Sequence, residues 1–412
     1  MVGLDTRQTM VYQIFTLLFA VTLIGWCWTL RYRDRFSVTR KLPRFATAGE
    51  PLSYRLTIRS RAPKMRRGLT LFDELDAPCP TESDFLDLAE PGEERRNRFD
   101  RYMGVYRWRW LVDRLRGGGI SERPLPPLAP EEVAEVRVSF TPTRRGFLRF
   151  KGALVARPDP SGLFFGFSAV AAPDSLLVLP RRYPVPPLRF PGSRRYQSGG
   201  VALAGSVGEA EEFVSLRDYR PGDPLRRIHW RSWAKRDKPV IKEYQEEYFV
   251  RYALVLDTFA RRDGRGEALL EGAVSVAASF ACALTTGESL LDILFVGPEA
   301  FCFTAGRSVA PVEGALEILA SVGASGEDGV SELSDLVCGR APGTSGCILI
   351  LLAWDAERRR LVEKLRGLGV PLRVIVMRKG EGALPPGPMA PEPRHLLSVD
   401  PHRIAEGLAA LE

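Results

Sequence analysis

Histidine and paired cysteine are what this chain has least of. Its 412 residues hold three histidines (His229, His395, His402) and six scattered cysteines (Cys27, Cys79, Cys282, Cys302, Cys338, Cys347), without a Cys-x-x-Cys pair. That distribution argues against a zinc site and points to free thiols in a reducing compartment. A Gly-rich phosphate loop, a nucleophile elbow and a Cys–His constellation are also missing, so the familiar nucleotide-binding and nucleophilic motifs are not available. No cofactor is expected. What is present is ordinary for a folded chain of two or three domains: 45% hydrophobic and 26% charged residues, with a net charge of +8 set against 50 acidic residues.

Residues 10 to 30, MVYQIFTLLFAVTLIGWCWTL, carry no charge. At about 1.5 Å per residue such a helix spans a hydrocarbon core of about 30 Å, and it reads as a transmembrane anchor within residues 1–35. Its length, the bulky Trp26 and the cations that follow it argue against a cleaved signal peptide. Only Arg7 precedes the span, whereas Arg31, Arg33, Arg35, Arg40, Lys41 and Arg44 follow it, which places the bulk of the chain on the cytoplasmic side of the inner membrane.

From residue 36 to about 185 the texture alternates. Leu52, Tyr54, Leu56 and Ile58 fall on one face of a strand, and GLTLFDEL, EEVAEVRVSFTP, RGFLRFKGALVARPDPSGLF and DSLLVLP continue the period of two. Strands without intervening helices predict an antiparallel β-sandwich. A basic and aromatic insertion near 95–130 interrupts it, with eight arginines between Arg95 and Arg116 interleaved with Phe99, Tyr102, Tyr106, Trp108 and Trp110. This reads either as a solvated β-hairpin or as a surface for anionic lipid. From 249 to 412, unbroken apolar strands (VRYALVLD, SLLDILFVG, GCILILLAWD, PLRVIVM) alternate with helical patterns, predicting a mostly parallel sheet covered on both faces. The fold class is therefore multi-domain α+β, with an N-terminal membrane helix and a C-terminal doubly wound α/β domain.

Between them, 186–248 reads as linker and charged segment. In LRDYRPGDPLRRIHWRSWAKRDKP, Pro221 and Gly222 suit a type II turn. Asp223 and Pro224 suit the N-cap and first position of a helix over about 224–236, with Leu225, Ile228, His229, Ser232 and Trp233 on one packed stripe. The acids Glu209, Glu211, Glu212, Asp218, Glu243, Glu246 and Glu247 are numerous enough to pair its cations, so a nucleic-acid grip is not expected. His229 reads as a hydrogen-bonded structural residue.

GEAEEFVSLRDYRPGDPLRRIHWRSWAKRDKPVIKEYQEE (208–247) resembles the signature of a bacterial and archaeal family, number fifty-eight among the domains of unknown function. VTRKLPRFATAGEPLSYRLTI and RRGFLRFKGALVARPDPSGLF resemble two further stretches of it. The resemblance marks Arg217, Tyr219, Gly222, Asp223, Arg227, His229, Trp230 and Lys235 as signature or partner-binding positions. It implies a membrane-anchored protein with a β-sandwich and a von Willebrand factor A-like domain. Partnership with a MoxR-type ATPase is implied too, alongside transglutaminase-like or other von Willebrand factor A-like proteins. Two departures stand out: the family often begins with two membrane helices where this chain shows one, and the metal motif Asp-x-Ser-x-Ser is replaced by DTFAR. Asp257 survives, Phe259 and Arg261 stand where hydroxyl ligands belong, and Arg261 is expected to pair with Asp257 or Asp355 in place of the ion.

A non-enzymatic scaffold at the membrane, with lipid as a further contact, is the reading these features favour. The competing readings are a metal-dependent hydrolase using Asp257 and Asp355 at the strand ends, and an anionic lipid or nucleic-acid binder using residues 95–116.

Overall fold

A hydroxyl in an apolar helix needs a partner, and helix α1 (Thr9–Arg31) supplies one internally: Thr16, Thr22 and Thr29 donate to the carbonyls of Tyr12, Leu18 and Trp26 at 2.9, 2.7 and 2.7 Å. The 21 residues Met10–Leu30 are long and apolar enough to cross a membrane. The structure is a computed structural model, and it describes residues 9–187, 197–198 and 212–411 except 33, 34, 77, 91, 222, 224, 226, 227, 237, 246, 247, 261–263, 285–288, 307–309, 327, 328, 381 and 383. The chain forms two compact units, Met1–Arg181 and Arg182–Glu412.

In the first unit, strands β1 (Phe36–Lys41), β2 (Phe45–Thr47), β3 (Leu52–Ser60) and β4 (Thr70–Asp76) precede three short helices, α2 (Glu82–Asp87), α3 (Arg98–Met103) and α4 (Val105–Arg116). Strands β5 (Arg123–Pro124), β6 (Val133–Phe140), β7 (Gly146–Pro158) and β8 (Phe165–Leu179) follow. They build one sheet in the order β1-β3-β6 and another in the order β2-β8-β7-β4-β5. The period-two pattern turns Tyr54, Leu56 and Ile58 inward, where they share one core with Leu71, Phe150, Val155 and Val178 of the other sheet.

The insertion is helical, which corrects the hairpin reading. Phe99, Tyr102, Tyr106 and Trp110 recur at intervals of three and four, a helical period. Asn97 caps α3 by accepting from the Asp100 amide at 2.7 Å, and Gly104, at φ 62°, separates α3 from α4. Arg96 is held by Glu90 at 2.7 Å and Arg107 by Glu93. Phe99, Tyr102 and Trp108 are exposed.

A buried cation ties the two sheets together. Arg40 on β1 donates to Asp73 on β4 at 2.6 Å, to the Ala172 carbonyl at 2.6 Å and to the Gly152 carbonyl at 3.2 Å, and its guanidinium lies 4.5 Å from the Phe150 ring centre. Tyr54 of β3 donates its hydroxyl to the same carboxylate. Burial, then the charge of Asp73, pushes the Tyr54 phenol above its ordinary range, so it remains a donor.

The second unit contains β9 (Gln197–Ser198), β10 (Glu212–Asp218), α5 (Trp230–Arg236), β11 (Val240–Gln245), β12 (Tyr248–Leu256), α6 (Gly264–Leu284), β13 (Ser289–Val296) and β14 (Ala300–Ala305). Then come α7 (Val312–Ser321), α8 (Val330–Arg340), β15 (Gly346–Leu351), α9 (Ala356–Gly367), β16 (Leu372–Met377), β17 (Leu396–Val399) and α10 (Ile404–Ala409). Its main sheet runs β14-β13-β12-β15-β16-β17, parallel apart from the edge strand β14, while β9 pairs antiparallel with β12. Every residue of β15 and β16 is buried, which is why these strands show no alternation in sequence. On β14, Cys302 packs with the core beneath α8 and α9, while the next residue, Phe303, meets Gly314 of α7, so helices cover both faces. α6 is a core helix despite its apolar length, for 61% of its most apolar stretch is buried.

Replacing Arg40 by Met leaves the Asp73 carboxylate buried without its cation and is expected to destabilise the first unit by about 3–5 kcal/mol, with part of the loss recovered in the Arg40→Met/Asp73→Leu double variant. Thermal melts of the detergent-solubilised chain measure this, and wild-type stability in Arg40→Met contradicts it.

Candidate functional site

The parallel sheet reverses its winding between β12 and β15, and the carboxyl ends of those strands form the crevice where open α/β sheets hold ligands. Asp257 follows β12 directly. Its amide donates to Ile350 O at 2.9 Å, extending the ladder by one residue and holding the side chain fully buried at the sheet end. Asp355 follows β15 and caps α9, accepting from the Arg358 amide at 2.9 Å.

Arg358 in the first turn of α9 joins the two acids. Its Nε donates to Asp257 Oδ2 at 2.5 Å, Nη2 donates to Asp257 Oδ1 at 3.2 Å and to the Phe259 carbonyl at 3.1 Å, and Nη1 donates to Asp355. Asp257 also accepts from the amides of Phe259 at 3.0 Å and Leu352 at 2.9 Å. Four donors thus occupy its two oxygens, two from a guanidinium and two from backbone. Burial by itself would lower the Arg358 pKa; the bonds to Asp257 and the charge of Asp355 outweigh it and hold the group above the usual arginine range. The arginine is a permanent cation, and Asp257 is already neutralised by it.

The neighbouring side chains turn away from any ligand. Thr258 is buried and donates its hydroxyl to the Val296 carbonyl, which also accepts from Ser325 Oγ at 2.8 Å. Phe259 belongs to the core shared with Val330 and Leu333, and a Cβ added at Gly329 would lie 2.5 Å from its ring. Among the described residues, no group of three His, Cys, Asp or Glu could hold a metal ion. Arg261 lies outside the described residues; among the described residues Arg358 pairs with both Asp257 and Asp355, a cation not expected from the sequence. A signal existed: Arg358 falls on the buried stripe of α9 with Leu361, Val362 and Leu365, at a spacing of three, four and seven.

The signature segment forms a second cluster. β10 and β11 pair antiparallel, with Arg217 opposite Ile241 and Asp218 opposite Val240. Arg217 clasps Asp223 with two bonds of 2.7 and 2.8 Å, and Asp223 also accepts from the Arg220 amide at 2.9 Å. Asp223 therefore closes a turn; α5 begins seven residues later at Trp230, and Pro224, Arg226 and Arg227, where the expected helix would start, lie outside the described residues. His229 stands at the helix entrance: its carbonyl accepts from the Ser232 and Trp233 amides at 3.0 and 3.1 Å, its amide donates to Val240 O at 2.8 Å, and Nδ1 lies 2.6 Å from Ser232 Oγ. The bond to β11 fixes that start, because it ties His229 to Val240 beside the Ile228–Ile241 bridge.

The expected stripe divides accordingly. Ile228 is buried, Leu225 is 65% exposed, and Trp233 is half-buried, stacked on an exposed Trp230 with ring centres 5.2 Å apart. Tyr219 is half-buried, its amide bonded to Pro239 O at 2.9 Å, and Lys235 is exposed. Gly222, Pro224 and Arg227 lie outside the described residues. What this surface offers is an aromatic pair with cations beside it, the composition enriched where binding energy concentrates at protein interfaces.

Residues 215–307 match the family described as protein of unknown function DUF58. The match takes in the Arg217–Asp223 clasp, the tryptophan pair and Asp257, while Asp355 and Arg358 lie beyond it. No curated protein matches the chain. Among solved structures it is similar to proximal thread matrix protein 1 from the mussel byssus, at 12% identity over 40% of this chain and 47% of that one, with a TM-score of 0.31. It is also similar to the manganese-loaded TRAP protein of Plasmodium vivax (14%, 40% and 72%, TM-score 0.28) and to the CARDB domain of a Pyrococcus furiosus protein (13%, 35% and 94%, TM-score 0.19).

Two outcomes follow. Arg358→Met strands the buried Asp257 and is expected to cost about 3–5 kcal/mol in a denaturant melt, against about 1 kcal/mol for loss of the cap in Asp355→Ala; equal effects would mean that the buried pair does not govern the site. The Arg217 guanidinium, then the Arg220 amide, holds the Asp223 carboxyl down at about 2. Since this lies below the ordinary value of about 3.9, the clasp contributes fully above that pH and is lost as the pH falls through about 2. Carboxyl-carbon NMR should show this midpoint moving upward in Arg217→Ala, and an unmoved midpoint would dissociate the clasp from the titration.

Proposed function

We propose that this chain is a membrane-anchored, non-enzymatic scaffold whose second unit docks protein partners, with a MoxR-type ATPase as the principal one, in assembling or maturing proteins at the membrane. The observation that carries the reading is Arg358. Its guanidinium fills the crevice that a von Willebrand factor A-like domain would otherwise use for a metal, so a partner must be met by side chains and loops instead of through a bridging ion. The same bonds weigh against a metal-dependent hydrolase, because Asp257 has no oxygen left uncommitted.

Support for the rest is of two kinds. The apolar length of α1 and the cations that follow it favour an anchor with the bulk in the cytoplasm, beneath a β-domain read as a β-sandwich. The match over 215–307 supports the family resemblance, and the ATPase is the partner that this resemblance implies. Within the matched span, Trp230 and Lys235 are exposed where a partner reaches them, whereas Arg217 is engaged in holding its own turn.

Trp230→Ala and Lys235→Glu are therefore expected to weaken capture of the purified ATPase by about tenfold or more without shifting the melting temperature, the effect of Lys235→Glu shrinking as salt rises. Unchanged affinity in both variants, or no binding by wild type in any nucleotide state, contradicts the docking assignment.

A further inference from the structure

α1 is exposed along nearly all of its length, yet Gly25 is buried. The reason is the turn between β7 and β8. A Cβ at Gly25 would lie 2.7 Å from the Phe164 ring and 3.0 Å from the Asp159 carboxylate, so only glycine lets the turn approach this closely. Further along the helix, Arg157 lies over the Trp28 ring at 5.2 Å, and just past the helix end a Cβ at Gly166 would lie 2.7 Å from Tyr32. Helix and hairpin touch at three successive levels within one compact unit.

The turn is built to leave water. Asp159 is buried, and its carboxylate accepts from the amides of Phe164 and Ser161 at 2.9 and 3.1 Å and from the Ser161 hydroxyl. The Asp159 amide donates to Phe164 O at 2.9 Å and the Gly162 amide to Asp159 O at 3.0 Å. Around this internally satisfied turn, Leu163, Phe165 and Phe167 are 61%, 48% and 56% exposed, and Phe165 and Phe167 share one face of β8 with their ring centres 6.4 Å apart. Three large apolar side chains at one hairpin tip form a patch that water does not favour.

We propose that this hairpin tip is a membrane-seating element: Leu163, Phe165 and Phe167 enter the headgroup–acyl boundary of the bilayer that α1 crosses. The inference rests on α1 being a membrane span. Given that span, the depth follows from geometry. Gly25 lies five residues before Leu30, the end of the apolar stretch, or about 7.5 Å along the helix axis, so the turn against it reaches the depth of about 5–10 Å at which interfacial apolar faces sit. Arg157, Trp28 and Tyr32 then form a collar of cation and aromatic rings at headgroup level. Lipid is the occupant because the three side chains flank Phe164 and Gly166, the residues that lie against the anchor and the residue just past its end. The effect is to restrain the first unit against the membrane by two points of attachment, a helix and a hairpin.

The test uses the full chain in nanodiscs containing anionic lipid, with an environment-sensitive fluorescent amino acid placed singly at 163, at 19 in the middle of α1, or at 147. Phe147 is a matched control: it is 65% exposed but stands at the opposite end of β7, eleven residues or about 36 Å from Pro158. Quenching by lipids spin-labelled near the headgroup should be at least about threefold stronger at 163 than at 147, and quenching by lipids spin-labelled deep in the acyl chain, which reads position 19, should exceed that at 147 by a similar factor. Gly25→Leu, which forces the turn off the helix, should reduce quenching at 163 by about half and leave quenching at 19 unchanged. If 163 behaves like 147 while 19 is quenched, the anchor stands and the seating element is overturned. If 19 behaves like 147, the span itself is wrong and the inference falls with it.

Discussion

A guanidinium taken out of water organises the second unit. Arg358 repays its desolvation only because two carboxylates and a backbone carbonyl meet it at once, and those partners come from separate segments: the end of β12, the loop after it, and the cap of α9. The pair therefore sets where β12 ends, how the loop through Phe259 turns back, and how the first turn of α9 is aimed at the crevice. Phe259 completes the closure by filling with a ring the space beside Gly329.

The same chemistry recurs elsewhere in the chain. In the first unit Arg40 links β1 to Asp73 of β4 and to carbonyls of β7 and β8, so one side chain reaches four strands. In the second, Arg251 of β12 meets Asp292 of β13 at 2.6 Å, and Thr304 of β14 donates to that acid at 2.6 Å. Arg217 and Asp223 repeat the motif at a turn. The planar fork of arginine fits a carboxylate with two parallel bonds, and each such pair fixes an angle as well as a distance. The many arginines of this basic chain are thus partly architectural.

The signature segment shows the difference between a motif that binds and a motif that shapes. Arg217, Asp223 and His229 spend their polar groups on the turn and on the entrance to α5. Trp230 and Lys235 are left facing outward by that same arrangement.

Periodicity made the larger elements legible. The charge-free run of α1, the alternation in β3 and the unbroken apolar runs of β12, β13, β15 and β16 all follow from where side chains must go when a backbone satisfies its own hydrogen bonds. Asp257 and Asp355 were visible as acids at strand ends for the same reason. Local rules misled where a tertiary contact competed with them. Asp223 reads as a helix cap, yet Arg217 clasps it at a turn, and α5 begins beyond His229, whose amide is bound to Val240 of β11. Composition hid the helical spacing of the aromatics in α3 and α4. Arg358 stands 101 residues from Asp257, and its place on the buried stripe of α9 marks it as a buried cation without naming the acid it meets. The sequence by itself determined the elements and the faces they bury, because those depend on neighbours a few residues apart. Only the tertiary structure decided which cation would meet the buried acid, because the cost of burying a charge is met by whichever partner the folded backbone brings within bonding distance.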